Sequence, residues 1–572
     1  MNQQLTTFRL DHLGLVAEMA HEIGLVEIID SLAGVDKNEL VTTGQATLAM
    51  VINCLGFVSR PLYITPQFFK SRLVEFLIGK CKTGKRIELT PEHLNESKLG
   101  RTLDKIYEMG PDTLFQTVAF AAARKQKLKV KTLHCDTTSH SFYGEYESSE
   151  SSGVTNAAGD DEPCCVEIVH GLSKDHRAEC KQIVQELLVS SDGDVPLMQK
   201  VHSGNTNDAT IFKERLAALK QQFVDAKDLM PEYIVFDCKG YSEENVRLCA
   251  KENQKWVTRI PDNVKIAKSC MQNAASELIW QCLGNDRKDA DVEYTEFNVE
   301  THGVAQKLFV MRTKHGLERA KKSINKKIAK ERQDIDNVLK KQRANPHCCE
   351  ADARAVFSEF CKKLRFFRLD EERIIVIEKN ASSGRPKNDQ KKTQHFFVEA
   401  KVKEPNEMEV TNAINFEASF TLATNDIELC AQEASAIYRK EQQGVERAFR
   451  FLKNPMYFAD AFFLKNRKRV VALVTIMTIA LLIFSLLQRK LRLLLEAKSE
   501  TVPNQKKRPT KKPTMNWVNL CFDGVDVIRE QIGREYGYTF VRADEFVKKV
   551  LKILGPGYEH RYSEKFLDSP AC

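Results

Sequence analysis

Apolar residues recur at three- and four-residue spacing from about residue 8 to 125. LGLVAEMAHEIGLVEIIDSLAG shows this period and ends on a glycine, a helix-stop signal. TTGQATLAMVINCLGFV and LGRTLDKIYEMGPDTLFQTVAFAAARKQ continue it. The pattern predicts an all-helical N-terminal region.

The period then changes. KLKVKTLHCD alternates as a strand does and ends on Asp136. CCVEIVHGLS and VPLMQKVHSG are two further expected strands. NDATIFKERLAALKQQF is an amphipathic helix that Asn207 or Asp208 would cap. YIVFD is a short strand of the buried type and ends on Asp237. YSEENVRLCAKE is an expected helix and KWVTRIP an expected strand. Strands alternating with helices indicate an α/β layer fold with a mixed sheet.

From about 262 to 420 this rhythm stops. DVEYTEFNV, VAQKLFVMRT, RIIVIEK and HFFVEAKV have β character. Between them, Lys314 to about Leu364 is a very charged stretch expected to form a helical hairpin broken near NPHCC. SSGRPKNDQKK is a loop by composition. The block therefore reads as a β-rich insertion. The α/β rhythm resumes with ASFTLATND and one long helix from Ile427 to about Leu452. VVALVTIMTIALLIFSLL, Val470–Leu487, carries no charge, and a basic Pro-rich linker, VPNQKKRPTKKPT, precedes the C-terminal segment.

Composition narrows the picture. The chain has 572 residues, 42% hydrophobic and 29% charged, enough for more than one domain. The net charge of +8 is modest, but cations cluster at Lys125–Lys131, Lys314–Lys341, Lys465–Arg469 and Lys506–Lys512, as a polyanion partner requires. The 16 cysteines come with no apolar leader and no C-x-x-C pair, which points to reduced thiols and a cytoplasmic setting. Cys164–Cys165 and Cys348–Cys349, the latter beside His347, are poor zinc signals. Val470–Leu487 is at the lower limit of a spanning helix, and a buried core helix reads the same way.

Three acids stand in unusual places. Asp136 and Asp237 end strands, where open α/β sheets place chemistry, and Glu446 lies on the long helix in VERAFRFLK. Two strand-end aspartates and a glutamate from a facing helix form an oxygen-only ligand set suited to Mg²⁺ or Mn²⁺. Two such ions roughly 3.5–4 Å apart serve phosphoryl transfer. Taken singly, a strand-end aspartate is often a turn former, and a helical glutamate with arginine four residues on is often a surface pair. Arg450 and Lys453 share the Glu446 face, at four and seven residues. Asn205 and Asp208 are expected to shape a turn, His202 to pack or face DNA, and Cys135 and Cys238 to pack.

The order strand–Asp136, strand–Asp237, long insertion, helix–Glu446 resembles the DDE transposases of bacterial insertion sequences. HGLSKDHR, VHSGNTND, KWVTRIP, FTLATND and VERAFRFLK resemble landmarks of the branch with a β-rich insertion and a Tyr-Arg-Glu-Lys signature. The resemblance runs from about residue 8 to 560. It implies an RNase H-like catalytic domain in which Asp136, Asp237 and Glu446 are catalytic and bind two Mg²⁺ or Mn²⁺ ions. It implies an enzyme that cuts transposon ends and joins them to target DNA. Lys453 matches the signature lysine, which contacts DNA near the cut. The positions of the signature tyrosine and arginine hold Arg439 and Gln442, and Tyr438 is one residue out of place. Arg450, Tyr438, Arg439 and Lys453 are the expected DNA contacts. Partners are then double-stranded DNA, both terminal inverted repeats and target, and a second copy in the active complex, with no membrane. The setting is the bacterial cytoplasm, at the nucleoid.

The expected organisation is a helical N-terminal region over 1–125 that binds DNA ends, a first part of the catalytic core over 126–261, the insertion over 262–420, a second core part over 421–500, and a basic linker and C-terminal segment over 501–572. Two other readings remain: a metal-dependent nuclease or domesticated DNA-binding derivative, and a protein anchored to a membrane by Val470–Leu487.

Overall fold

The structure is a computed structural model describing residues 4–56, 61–82, 87–143, 146, 166–277, 280–284, 291–380, 392–454, 464–532 and 535–563. The Cys164–Cys165 pair and the SSGRPKNDQKK loop, except for Lys392, lie outside them. The chain forms two compact units, Met1–Val257 with Ala436–Cys572, and Thr258–Ser435.

The first unit begins with strand β1 (Gln4–Arg9) and then helices α1 (Leu13–Ile23), α2 (Leu25–Ala33), α3 (Thr43–Leu55), α4 (Thr65–Phe69), α5 (Val74–Ile78), α6 (Glu96–Glu108) and α7 (Pro111–Lys125). Gly24, at φ 71°, takes the left-handed turn that ends α1. Thr42 and Gln45 cap α3 reciprocally. The strand β1 was not part of the helical expectation; its partner lies over 500 residues away, so local periodicity cannot reveal it.

Next come β2 (Thr132–Phe142), β3 (Lys181–Ser190), β4 (Pro196–Ser203), α8 (Asp208–Gln222), β5 (Tyr233–Phe236), α9 (Glu243–Lys251) and β6 (Lys255–Ile260). The strands lie in the order β4-β3-β2-β5-β6, with β4, β3 and β2 antiparallel and β5 parallel to β2. This is the RNase H-like arrangement. One expected strand is lost and one unexpected strand takes its place. CCVEIVHGLS makes only a bridge, Val169 to Gln182. The pairing falls instead to KQIVQELLVS as β3.

The second unit contains α10 (Lys265–Glu277), β7 (Gln281–Cys282), β8 (Val292–Thr301), β9 (Val304–Thr313), α11 (Lys314–Ala344), α12 (Glu350–Cys361), β10 (Leu369–Asn380), β11 (Lys392–Val402), α13 (Glu407–Ala418) and β12 (Ser419–Thr424). The expected charged hairpin is α11 and α12, broken at Asn345–Cys349. α13 was not anticipated from the sequence. β12, β9, β8 and β7 lie side by side, and β10 pairs with β11 as a separate ribbon.

α14 (Ala431–Leu452) returns the chain to the first unit, and α15 (Arg467–Ala497) follows. The most apolar stretch of α15 is 89% buried. Its core-facing threonines are satisfied by the sheet: Gln185 donates to Thr478 and Gln199 to Thr475, each at 2.9 Å. Each fully buried Leu, Ile or Val here contributes about 1.5–3 kcal/mol, so this helix is a main prop of the unit. The chain then forms β13 (Val502–Pro503), β14 (Pro509–Thr510), α16 (Met515–Cys521), β15 (Asp526–Ile532), β16 (Glu535–Val541), α17 (Glu545–Leu554) and α18 (Pro556–Arg561). The basic VPNQKKRPTKKPT stretch is thus closed by β13 and β14. β15 pairs with β1 on one side and β16 on the other. Arg561 donates to buried Glu18 at 3.0 Å, so the C-terminal segment completes the N-terminal helical layer.

Candidate active site

Asp136 does not end its strand. β2 continues to Phe142 because β3 pairs with it along its whole length. What ends at this level is β5, whose last pair with β2 is Phe236 with Cys135. One step further, the parallel register sets Asp136 beside Asp237, on neighbouring strands about 4.8 Å apart. Each carboxylate accepts the next backbone N–H, Thr137 at 2.7 Å and Cys238 at 2.6 Å. Both line a small cavity of about 20 Å³ with His134, Cys135, Val235, Phe236, Tyr438 and Val445.

Burial pushes the Asp136 carboxyl up to about 6, and the charges of Asp237 and Asp208 add to that, against Lys174 and the Thr137 N–H. Its side chain keeps 34% exposure, so the carboxyl is recessed yet reachable. Acids held this close in a cleft favour a cation.

α14 supplies the opposing wall. Tyr438 and Val445, seven residues apart, face the cavity and are buried. Ala448, Phe449 and Leu452 extend the buried stripe. Glu446 follows Val445 by about 100° around the helix and is exposed. Gly444 allows a close approach to Asp194, where an added Cβ would come 2.7 Å from the carboxylate. Arg447 holds that carboxylate at 2.9 and 3.0 Å. Among the described residues no three His, Cys, Asp or Glu side chains converge closely enough to hold a metal ion. The structure therefore brings Asp136, Asp237 and Tyr438 together and leaves Glu446 at the rim.

Residues 168–483, more than half of the chain, match the family described as Transposase DDE domain. The chain belongs to the DDE transposase family. Asp237 and Glu446 lie inside the matched region, and Asp136 precedes it. Residues 5–120 match a domain of unknown function, DUF4277. A solved structure, the cryo-EM synaptic complex of piggyBac transposase with hairpin DNA, aligns over 100% of this chain and 85% of that one, at 10% identity and a TM-score of 0.36. No curated protein matches.

Around the acids, the transposase carries groups whose role the sequence did not reveal. Asp208, buried at the start of α8, accepts from the Thr137 hydroxyl at 2.5 Å and from Lys239 at 2.8 Å. Lys174 lies 3.3 Å from Asp208 and 4.0 Å from Asp136, and it also donates to the Thr137 carbonyl at 2.7 Å. Asn207, not Asp208, caps α8. Lys174 sits in HGLSKDHR, and no spacing rule ties it to Asp136 across 38 positions of sequence.

The other expected residues are placed as follows. Lys453 is held by both oxygens of Asp175 at 2.7 Å. Arg450 is exposed and Arg439 is half-buried. Asn205 is exposed in a turn. His202 is buried against Glu186 at 3.3 Å. The Cys135 thiol faces Glu186, away from the acid pair, and burial holds it protonated. Cys238 is half-buried beside Asp237. Cys349 caps α12 rather than ligating with His347.

Proposed function

We propose that this transposase cleaves transposon ends and joins them to target DNA at the acid pair Asp136–Asp237, with Glu446 as the third acid. One observation carries the reading: two carboxylates on adjacent strands share a cleft, and one of them is driven upward by burial and by its neighbours. The cleft offers oxygen donors, while the Cys135 thiol is turned to Glu186. That donor chemistry suits Mg²⁺ or Mn²⁺. When bound, such ions activate the attacking oxygen and stabilise the leaving one.

The chain's own residues do the rest. Asp136 and Asp237 would hold the ions. Glu446, exposed one position beyond Val445 on α14, would be the third ligand. Tyr438 walls the cleft against water. Lys453, Arg450 and Arg439 face the DNA backbone, with Lys453 exchanging Asp175 for a phosphate. The N-terminal region, residues 1–125, grips the transposon ends, and two copies act together so that both ends are cut in one complex. The reaction takes place on chromosomal DNA in the cytoplasm.

The test is excision in cells of a marker flanked by the DNA that neighbours the gene. Excision with the wild-type chain and none with Asp136→Ala supports the reading. Equal excision with both contradicts it. Nicking without rejoining would mark a nuclease instead.

A further inference from the structure

We propose that Lys174 and Lys239 form a phosphate seat beside the acid pair, set in place by Asp208, which flanks the DNA phosphate to be cut. The proposal rests on the catalytic reading of Asp136 and Asp237.

A DNA phosphate that approaches two carboxylates is repelled by both. Bound ions answer part of that repulsion, and protein cations at the rim must answer the rest. Asp208 builds such a rim. It is 9% exposed at its side chain and receives two ammonium groups, Lys239 at 2.8 Å and Lys174 at 3.3 Å. Asp208 thus gathers two ammonium groups at the edge of the acid pair. The Thr137 hydroxyl also donates to Asp208, which fixes the carboxylate on the strand that carries Asp136. Burial pushes Asp208 up, but the hydrogen bonds from Lys239 and Thr137 outweigh it and hold the carboxyl below its usual range. The same bond to Asp208 holds Lys239 charged.

The lysines are not sealed in. Lys239 is 46% exposed and Lys174 28%. Lys239 follows Asp237 by two residues, and Lys174 stands 4.0 Å from Asp136. Each aspartate of the pair thus has one ammonium group beside it. The adjacent Asp175 takes up Lys453, so the two neighbouring residues act oppositely: Asp175 neutralises a cation and Lys174 presents one. Asp208 is a positioning residue, because it reaches the phosphate only through the lysines.

The experiment uses the purified full chain, wild type, Lys174→Gln, Lys239→Gln and the double variant, with Lys174→Arg and Lys239→Arg as conservative controls. Affinity for a mixed-sequence DNA duplex is measured against salt. Each lost phosphate contact lowers the log–log slope by about 0.9, so the double variant, which loses the one seated phosphate, is expected to lose about 0.9. Its cleavage of a plasmid carrying the gene's flanking DNA is expected to fall about a hundred-fold, while the arginine variants stay within about ten-fold. Mn²⁺ uptake, read by electron paramagnetic resonance, should stay unchanged in the lysine variants. An unchanged slope in the double variant overturns the proposal, whether cleavage persists or falls; a fall alone would mean that the lysines only brace Asp208. Failure of the catalytic reading shows separately, as normal Mn²⁺ uptake and cleavage in Asp136→Asn.

Discussion

The two faces of β2 and β3 hold carboxylates in opposite states. Asp136 and Glu186 project to opposite faces, since Asp136 pairs with Leu187 and Glu186 with Thr137. Glu186 is 1% exposed and fully served by protein. Arg215 grips it at 2.7 and 2.9 Å, and His202 adds a third bond. Burial pushes Glu186 up, yet these bonds outweigh it and hold the carboxyl at about 2. Asp136 has Lys174 only at 4.0 Å, and burial with neighbouring acids moves it up to about 6. A carboxylate that the fold neutralises is part of the scaffold. One that the fold crowds with other acids is kept for a cation from outside.

Four changes break or sharpen this contrast. Asp136→Ala, Asp237→Ala or Glu446→Ala is expected to lower strand cleavage by about a thousand-fold or more, with DNA affinity retained in a binding titration. Arg215→Met leaves Glu186 buried with only His202 and the Cys135 thiol beside it, so urea unfolding should show a loss of about 3–5 kcal/mol. Cleavage per folded molecule should then stay at the wild-type level. If that variant unfolds like wild type, Glu186 is not the sealed carboxylate described.

The third change is in pH. Glu186 has a folded value of about 2 against an ordinary 4.5. Its contribution is fully present above 4.5 and is lost as the pH falls towards 2, about 3 kcal/mol in all. Glu186→Gln should flatten the stability profile in that window, and an unchanged slope would refute the assignment. The smallest effect belongs to Asp175→Asn. The Asp175–Lys453 pair is partly exposed, so stability should move by under about 1 kcal/mol, while release of Lys453 should raise DNA affinity at low salt.

Much of the fold around the acid pair was legible in the sequence, for identifiable reasons. YIVFD reads as a buried strand with an acid at its end, and β5 has that form. The charged hairpin and the long Glu446 helix follow from their periodicity. What failed depended on distant partners. The polar run after Asp136 reads as the end of a strand. It is strand because β3 covers it and because His140 finds Gln185 at 2.8 Å. β3 itself hid in a short apolar run with no period to mark it. Tyr438, one residue from the signature position, faces the cleft with Val445 in the buried stripe of α14. The same stripe leaves Glu446 exposed, which no linear spacing could have said. Lys174 and Asp208 meet Asp136 only through the fold.

The most direct test of the acid pair is Mn²⁺ binding, read by electron paramagnetic resonance on the wild-type chain and on Asp237→Asn near neutral pH. The account predicts that the wild type takes up Mn²⁺ and that the variant binds it at least about ten-fold more weakly. Equal binding by both would contradict it, and the two aspartates would then be neighbours in the sheet without a shared ion.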